Sequence, residues 1–272
     1  MKRLFLLFIF AVGISLSCRP QAELDVLVFS IGDISFTMVP VEGGTFTMGA
    51  TLEQGSDADE DEIPAHDVTL SDFYIGETEV TQGLWETVMG KNIRQQRDKA
   101  GPAWPVRGEG FNYPMYYINW DECQEFVGKL NVLLSEQLGE KQFALPTEAQ
   151  WEYAARGGQR CEGYKCSGSH TAEKVAWYTE NSSSYVHPVA TKSPNRLGIY
   201  DMSGNVYEWC KDYYGKYTDD LQTDPSGAPF GPDRVLRGGG WGSRSSFCRV
   251  SARNNNSPAY RGDYLGMRLV CQ

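Results

Sequence analysis

The sequence predicts a single α+β domain whose second half is largely irregular. Its 272 residues are enough for one or two domains with a full hydrophobic core, and no linker divides them. Helix start signals occur three times, always before residue 158. Beyond that point Gly, Pro, Asn and Ser recur every few residues. The 29 Gly, 15 Tyr and 7 Trp therefore indicate a loop-rich fold held together by aromatic rings.

The charge balance excludes one class of partner. The chain has 35 Asp and Glu against 25 Lys and Arg, a formal net charge of −10. An acidic chain does not neutralise phosphates, so no nucleic-acid partner is expected. With 41% hydrophobic and 22% charged residues, the composition is that of a globular protein.

The first residues predict export. Residues 1–17 contain Lys2 and Arg3 followed by an apolar run at 4–14, which is too short to span a bilayer as a helix. The run ends in a sequence similar to a bacterial lipobox, with Cys18 as the residue that would carry lipid. The protein is thus predicted to be a membrane-anchored lipoprotein of the cell envelope, either periplasmic or surface-exposed. A simple signal peptide cut nearby is the alternative.

Strand signals follow a short tether. Residues 18–35 are interpreted as this tether and a first strand at 26–29. Residues 36–41 and 44–48 alternate around glycines, which predicts a hairpin. The acidic run at 57–62 is interpreted as a solvated loop, with a cation site as the alternative. Residues 68–75 alternate again and predict one strand.

Three helices are predicted from their caps. Thr81 begins a short helix that stops at Gly90. Asn119 begins a second helix, which runs to about residue 135, and Thr147 with Gln150 forms a capping box for a third that ends before residues 157–158. In the second helix, residues at helical spacing are expected to face the core: Trp120, Cys123, Val127, Leu130 and Leu134.

Five motifs occur in one order along the chain. Together they resemble the formylglycine-generating enzyme, or sulfatase-modifying factor, family over about residues 36–270. The resemblance implies that residues 36–272 form one domain, an α+β variant of the C-type-lectin-like fold with little regular secondary structure. The motifs are GGTFTMG at 43–49, FYIGETEVT at 73–81, LPTEAQWEYAARGG at 145–158, GIYDMSGNVYEW at 198–209, and RGGGW at 237–241 followed by LGMRL at 265–269.

The resemblance also implies an oxidase activity, but the residues at the expected catalytic positions do not favour it. Enzymes of this family use oxygen and a copper(I) ion, held by two thiolates, to oxidise a cysteine of a sulfatase to formylglycine. Counted from Arg237, the two thiolate positions fall on Ser243 and Cys248. Counted back from residues 251–253, the loop is about three residues shorter than in the family, and Cys248 no longer falls on the second thiolate position. Since soft thiolates select copper(I) and a hydroxyl does not, copper is not expected. Cys248 remains the single candidate catalytic residue.

A calcium motif is better preserved. In the family, a segment matching residues 201–208 wraps a structural calcium ion. The resemblance implies ligation here by the carboxylates of Asp201 and Glu208 and the carbonyl oxygens of Gly204 and Val206. Calcium prefers six to eight such hard oxygens. The alternative is a turn whose carboxylates only accept hydrogen bonds from backbone amides.

Six cysteines follow Cys18, and an even number in an exported chain favours disulfides among fifteen possible pairings. Family members often tie the central helix to the last strand, which implies one pair here. A second pair is close in sequence, and the third joins the two cysteines that remain. These pairs are Cys123–Cys271, Cys161–Cys166 and Cys210–Cys248. A free, reactive Cys248 is the alternative for the third.

The family's substrate groove falls on the segment after Arg237. The implied groove residues include cationic and aromatic side chains that suit a peptide, a glycan or an acidic group. The alternative is that Arg253 and Arg268 form buried pairs with Glu148 or Glu152. The implied groove residues are Trp241, Arg244, Arg249, Arg253 and Asn255.

Two functions follow as hypotheses. In the first, the protein is a binding or assembly module at the cell envelope, held to the membrane by lipid and facing a protein or glycan partner, without copper catalysis. In the second, it is an oxidoreductase of the same family that acts on a protein or a small molecule. Motifs for a Ser-His-Asp hydrolase, a phosphate-binding loop and a zinc protease do not occur in the sequence.

Overall fold

A computed structural model of the protein describes residues 25–272. The predicted export signal at 1–17 and the candidate lipid-bearing Cys18 lie outside the described residues. The helices are α1 (Gln82–Met89), α2 (Ile93–Ala100), α3 (Trp120–Leu133), α4 (Ser135–Leu138), α5 (Glu148–Arg156) and α6 (Ala172–Val175). The strands are β1 (Leu27–Ile31), β2 (Ile34–Val41), β3 (Gly44–Met48), β4 (His66–Leu70), β5 (Phe73–Gly76), β6 (Phe143–Ala144), β7 (Tyr207–Tyr213), β8 (Gln222–Thr223), β9 (Arg234–Arg237), β10 (Arg253–Asn256), β11 (Leu265–Gly266) and β12 (Val270–Cys271).

Within residues 25–272 the strands form three small sheets. Their orders are β1-β2-β5-β12-β6, β10-β9-β7-β11 and β3-β4-β8. The last strand, β12, lies between β5 and β6 and pairs antiparallel with both. Helix α5 contacts β3 and β4 of one sheet and β7 and β9 of another. This helix therefore joins two sheets that share no strand.

The hairpin predicted at 36–41 and 44–48 is wrong. Strand β2 pairs with β1 and β5, whereas β3 pairs with β4 in another sheet. The chain crosses between sheets at Gly43, where an added Cβ would lie 2.3 Å from the carbonyl oxygen of Leu70. The true hairpin joins β1 to β2 through Gly32, whose φ is +57°.

The strand predicted at 68–75 is two strands in different sheets. The chain breaks at Ser71 and Asp72, and both residues make contacts that end the ladder. The N–H of Ser71 donates to Asp224 Oδ1 at 2.8 Å, and Asp72 Oδ1 accepts from the N–H of Gly43 at 2.7 Å. The alternation of apolar and polar residues continues on both sides of Ser71 and Asp72. The pattern alone therefore did not show that the strand ends there.

The three predicted helices are confirmed. Thr81 caps α1, which ends at Gly90 with φ of +66°. Asn119 forms the capping box of α3, and Thr147 forms that of α5. Sequence reasoning missed α2, although Asn92 and Gln95 make a capping box there as well. No helix among residues 25–272 has the length and apolar character needed to cross a membrane.

The core has two main parts. Around α3, the side chains of Cys123, Phe126 and Leu130 are fully buried, and the ring of Phe126 stacks on Trp85 of α1 at 5.1 Å. A second cluster surrounds α5 and includes Trp151. Trp120 is partly buried against the first cluster, so the predicted core face of α3 is confirmed.

Candidate functional site

The loop at 238–252 follows β9 and carries the residues at the family's thiolate positions. It starts with Gly238 and Gly239, whose φ angles of +94° and +77° favour glycine. A Cβ on Gly239 would lie 2.9 Å from the carbonyl oxygen of Phe247 and 3.0 Å from Cys248 Sγ. The loop therefore folds back on itself, with Cys248 packed underneath its first residues.

A polar and aromatic surface lies beside the outer part of this loop. The indole N–H of the half-buried Trp241 donates to the carbonyl oxygen of Asp263 at 2.9 Å. The guanidinium of Arg107 lies 4.9 Å from the indole centroid and pairs with Asp263 at 3.1 Å. The hydroxyl of Tyr264 donates to that of Tyr260 at 3.4 Å. The Trp241 surface, as we call it, consists of Arg107, Trp241, Ser243, Tyr260, Asp263 and Tyr264.

Ser243 has a structural role in the loop. Its hydroxyl accepts from the N–H of Gly240 at 3.0 Å, and its carbonyl oxygen accepts from the N–H of Thr179 at 2.9 Å. The half-buried Ser243 thus offers a hydroxyl where the family's copper chemistry needs a thiolate.

Cys248 is fully buried, unlike Ser243. Its thiol donates weakly to the carbonyl oxygen of Arg244 at 3.8 Å. Burial, and secondarily the charge of Cys166, raises the pKa of the Cys248 thiol well above its usual range. A neutral, inaccessible thiol is a poor nucleophile and a poor metal ligand. The two copper positions therefore do not form a surface pair.

Two of the five implied groove residues lie in the interior instead. Arg249 donates to Glu62 at 2.8 Å, and Arg253 donates to both oxygens of Glu148 at 2.6 and 2.8 Å. Both guanidinium groups are nearly fully buried, so they do not line a groove. The pairing of Arg253 with Glu148 is one of the buried pairs considered as the alternative. Trp241, Arg244 and Asn255 remain accessible.

Arg268 is also buried, but its partner differs from the expected one. Its guanidinium donates to Glu208 Oε1 at 2.7 Å, and neither Glu148 nor Glu152 is involved. The indole N–H of Trp151 donates to Glu208 Oε2 at 2.6 Å. Glu208, an implied calcium ligand, is therefore already engaged on both oxygens.

Asp201, by contrast, has an oxygen to spare. Its Oδ2 accepts from the N–H of Ala190 at 2.7 Å, whereas its buried Oδ1 has no partner. Both carboxylate oxygens of the neighbouring, fully buried Glu79 also have none. Burial, with a smaller effect of the Glu208 charge, raises the pKa of Asp201 to about 6. Burial and the charge of Asp201 raise the pKa of Glu79 well above its usual range.

Three carboxyl groups share one cationic partner here. Glu79, Asp201 and Glu208 all interact with the guanidinium of Arg268, so the fully ionised cluster would carry a formal charge of −2, which the raised pKa values of Glu79 and Asp201 offset by protonation. Glu79 also lines a cavity of about 180 Å³ with Thr78, Thr81 and Asn112. The orphaned oxygens of Glu79 and Asp201 fit a hard cation such as calcium. In this structure Glu208 offers no free oxygen to it.

The acidic run at 57–62 is mostly engaged in hydrogen bonds. Carboxylate oxygens of Asp59, Asp61 and Glu62 lie within 4.8 Å of one another. Glu62 is buried and paired with Arg249, and Asp61 accepts from the hydroxyl of Tyr214 at 2.5 Å. Of these three residues Asp59 is the exposed one, and Asp57 and Glu60 of the run are exposed as well. Through the pair of Glu62 with Arg249, the run thus stabilises the loop at 238–252.

The six cysteines of the three implied disulfides are free thiols in this structure, so the three pairings stay predictions. Cys210 lies in the core cluster around α5, but Cys248 lies in a small separate cluster that contains Cys166. Cys161 is exposed, whereas Cys166 is buried. The first implied pair, between α3 and β12, has both members in one cluster, yet both are free. The free thiols are Cys123, Cys161, Cys166, Cys210, Cys248 and Cys271.

Several residues of these sites were missed from the sequence. Glu79 stands inside the recognised motif at 73–81, and Tyr264 directly precedes the one at 265–269, so motif membership was an available signal. Arg107 had none, because it lies in an irregular segment 156 residues before its partner Asp263.

Comparison with known proteins decides the family. Residues 35–272 match the family described as "Sulfatase-modifying factor enzyme 1-like domain". The chain belongs to this family. Its fold is the α+β, C-type-lectin-like fold that the motifs implied. The mixed helices and small curled sheets are those of a sulfatase-modifying factor domain.

Relatives of this sulfatase-modifying factor domain carry different names. The chaperone protein LppX of Paenibacillus barcinonensis is 32% identical, over 87% of this chain and 90% of the relative. The formylglycine-generating enzyme of Streptomyces coelicolor is 30% identical, over 85% and 88%. Among solved structures, Treponema denticola variable protein 1 has a TM-score of 0.78 and 33% identity, over 92% of this chain and 99% of that one. Family membership therefore does not by itself assign an activity.

Proposed function

We propose that this protein is an exported lipoprotein whose sulfatase-modifying factor domain binds or assembles with a partner at the cell envelope, without copper-dependent cysteine oxidation. One observation carries the proposal. The accessible position of the implied copper pair holds Ser243, and the other candidate, Cys248, is buried beneath Gly239.

The chemistry of copper supports a loss of catalysis. Copper(I) is selected by soft thiolates, and a serine hydroxyl stays protonated and hard at physiological pH. Because burial raises the pKa of Cys248, its thiol is not available as a thiolate either. Neither group would hold the ion at the surface where a peptide could reach it.

The Trp241 surface supports a binding role. It presents an indole, two phenols and the Arg107–Asp263 pair side by side. Aromatic faces and charged hydrogen-bonding groups together suit a protein or glycan partner. One relative is named as a chaperone protein, and a chaperone binds other proteins, which agrees with this role. Attachment to the membrane would come from lipid on Cys18.

A structural calcium ion is part of the proposal. Asp201 would supply the oxygen that lacks a partner, together with the carbonyl oxygens of Gly204 and Val206. Glu79 would join this set, because its two buried oxygens are also unpartnered. Glu208 would orient the site through its pairing with Arg268. The ion would offset the excess negative charge and stabilise the segment at 201–208.

A copper(I) competition experiment tests the loss of catalysis. The purified full chain is titrated with copper(I) against a chromogenic chelator such as bicinchoninate, beside the variants Ser243→Cys and, as a matched control, Ser246→Cys. The unmodified protein and Ser246→Cys are expected to leave copper with the chelator. The same preparations are incubated with oxygen and a sulfatase peptide that contains a cysteine, and the peptide mass should not change.

The rival function, an oxidoreductase of this family, predicts the opposite. Stoichiometric copper(I) binding by the unmodified protein, or conversion of the peptide cysteine to formylglycine, would refute the proposal. A gain of copper binding confined to Ser243→Cys would support it, since that variant restores a thiol at the accessible position.

A further inference from the structure

We propose that Cys166 and Cys248 form a disulfide bond under oxidising conditions, which ties the loop carrying the Trp241 surface to the segment at 161–176. This pairing differs from the three that the sequence implied. It also stands independently of the proposed function, since an oxidative cross-link requires neither a partner nor calcium.

The first observation is that both thiols share one small cluster. The side chains of Cys166 and Cys248 are almost fully buried, at 3% and 0% exposure. Both side chains belong to the same small, separate cluster of buried residues. Four other residues complete the cluster: Ala172, Val175, Ala176 and Tyr178.

The second observation is that the backbones beside the two cysteines are joined. The N–H of Val250 donates to the carbonyl oxygen of Lys165 at 2.8 Å. Ser203 connects the same two segments, because its hydroxyl donates to the carbonyl oxygen of Cys248 at 2.7 Å and accepts from the N–H of Ser167 at 3.0 Å. These contacts hold the two cysteine-bearing segments side by side, and a disulfide forms only between backbones that lie next to each other.

The third observation concerns the direction of Cys166. Its backbone forms a tight turn with Ser169 through two hydrogen bonds of 2.9 and 3.2 Å, and its side chain points inward. Cys161, five residues earlier, is exposed. A bond between them would require one of the two side chains to leave its present environment. Cys210 lies in the cluster around α5 and is not part of the one that holds Cys248.

The oxidation balances with a small disulfide as the oxidant. A thiolate on Cys166 attacks glutathione disulfide, forms a mixed disulfide and expels one glutathione thiolate, which takes up a proton. The Cys248 thiolate then attacks the Cys166 sulfur and expels the second glutathione thiolate. Two thiols lose two electrons and two protons, and one glutathione disulfide becomes two glutathione thiols.

Burial controls when this step occurs. It raises the pKa of the Cys166 thiol to about 11, and it raises that of Cys248 as well. Only the thiolate reacts, so exchange in the folded protein is slow and proceeds during folding or local opening. The bond then closes a loop from residue 166 to residue 248. It limits the motion of the segment that presents Trp241, Ser243 and Arg244.

Disulfide mapping of the refolded full chain tests the proposal. The unfolded, reduced protein is refolded in reduced and oxidised glutathione, the remaining thiols are alkylated, and an unreduced digest is analysed by mass spectrometry. We expect one linked peptide containing Cys166 and Cys248, lighter by two hydrogens than the sum of its parts. Cys161 and Cys210 should be alkylated. Alkylation of both Cys166 and Cys248, or a link from either to Cys161 or Cys210, would overturn the proposal.

Thermal unfolding provides the second measurement. The oxidised protein should melt on the order of 5 °C above the reduced protein, because the cross-link restricts the unfolded chain. This difference should vanish in Cys166→Ala and in Cys248→Ala and persist in the control variants Cys161→Ala and Cys210→Ala. A difference that survives loss of Cys166 would count against the pairing. If the buried variants do not fold, the mapping of the unmodified chain still decides.

Discussion

At the scale of single residues, burial separates side chains that the sequence grouped together. Trp241, Arg249 and Arg253 lie close in sequence, but only Trp241 stays at the surface. Each buried guanidinium has a carboxylate partner, Glu62 or Glu148. Removing one partner of such a pair leaves an uncompensated charge and costs about 3–5 kcal/mol. These arginines therefore support the loop that carries the candidate site.

The unpartnered oxygens of Asp201 and Glu79 lead to a prediction about calcium. Calcium at about 1 mM is expected to raise the melting temperature relative to chelator-treated protein, because an ion bound only by the folded state stabilises it. Asp201→Ala and Glu79→Gln should each remove most of this increase. Differential scanning calorimetry with and without chelator measures it.

A matched control is available in the acidic run. Asp59 is an exposed member of the other carboxylate group, so Asp59→Asn should keep the full response to calcium. If Asp59→Asn removes the response while Asp201→Ala retains it, the ion binds at 57–62 and the proposed site is wrong.

At the scale of elements, local signals and long-range contacts have different effects. The caps at Thr81, Asn119 and Thr147 act within three residues, so the helices that they begin were predicted correctly. Strand partners depend on distant segments, and for this reason the hairpin at 36–48 was wrong. At Gly43, where the chain crosses between sheets, the carbonyl oxygen of Leu70 lies so close that only a glycine fits, and this approach depends on a distant segment.

Two glycines in different elements should respond oppositely to alanine. Gly204 has φ of +80°, and an added Cβ would lie 2.4 Å from the carbonyl oxygen of Trp177, so Gly204→Ala should lower the free energy of unfolding by about 2 kcal/mol or more. Gly128 lies inside α3 with open space around it, and Gly128→Ala should raise that free energy by about 0.5–1 kcal/mol. Urea unfolding in chelator measures both.

The two variants together test whether the segment at 201–208 is constrained. Both changes add the same methyl group, so any general effect of alanine on the unfolded chain is shared. A neutral or stabilising Gly204→Ala would show that the turn can relax, and the geometric argument for a rigid cation-binding segment would fail.

At the scale of the whole molecule, two buried carboxylates of α5 connect two of the three sheets. Glu148 of α5 accepts from Arg237 of β9 at 2.8 Å and from Arg253 of β10 at 2.6 Å. Glu152 of the same helix accepts from Arg237 at 2.6 Å and from the N–H of Gly49, after β3, at 2.8 Å. The sheet of β9 and β10 and the sheet of β3 thus meet at one polar centre around Glu148 and Glu152, in addition to the apolar core.

This centre predicts sensitivity to acid. Burial disfavours the ionised form of Glu148, but the charges of Arg253 and Arg237 outweigh it and lower its pKa to about 2. In the unfolded chain the pKa is about 4.3. The resulting stability, about 3 kcal/mol, is fully present above pH ~4.5 and is lost as the pH falls towards 2. Urea unfolding between pH 7 and pH 2.5 measures the loss.

Asp212 has the opposite pH dependence. Burial and the charge of Glu148 raise its pKa to about 7, so its contribution to stability decreases as the pH rises from about 4 to about 7. The Glu148 contribution is therefore measured below pH 4. Glu148→Gln should flatten that part of the profile, whereas Glu162→Gln should change it far less, because solvent screens its exposed pair with Arg196. An unchanged slope in Glu148→Gln would contradict the assignment.

The sequence by itself determined the family, the fold class and the starts of three helices. Those signals lie within contiguous motifs or within three residues of a cap. The tertiary structure decided which strands pair, which arginines are buried and which thiols meet. Arg249 and Glu62 are 187 residues apart in sequence, and the segments that carry Cys166 and Cys248 are linked through Ser203 and through the hydrogen bond from Val250 to Lys165. Such contacts form when distant segments fold against each other, so no local pattern in the chain encodes them.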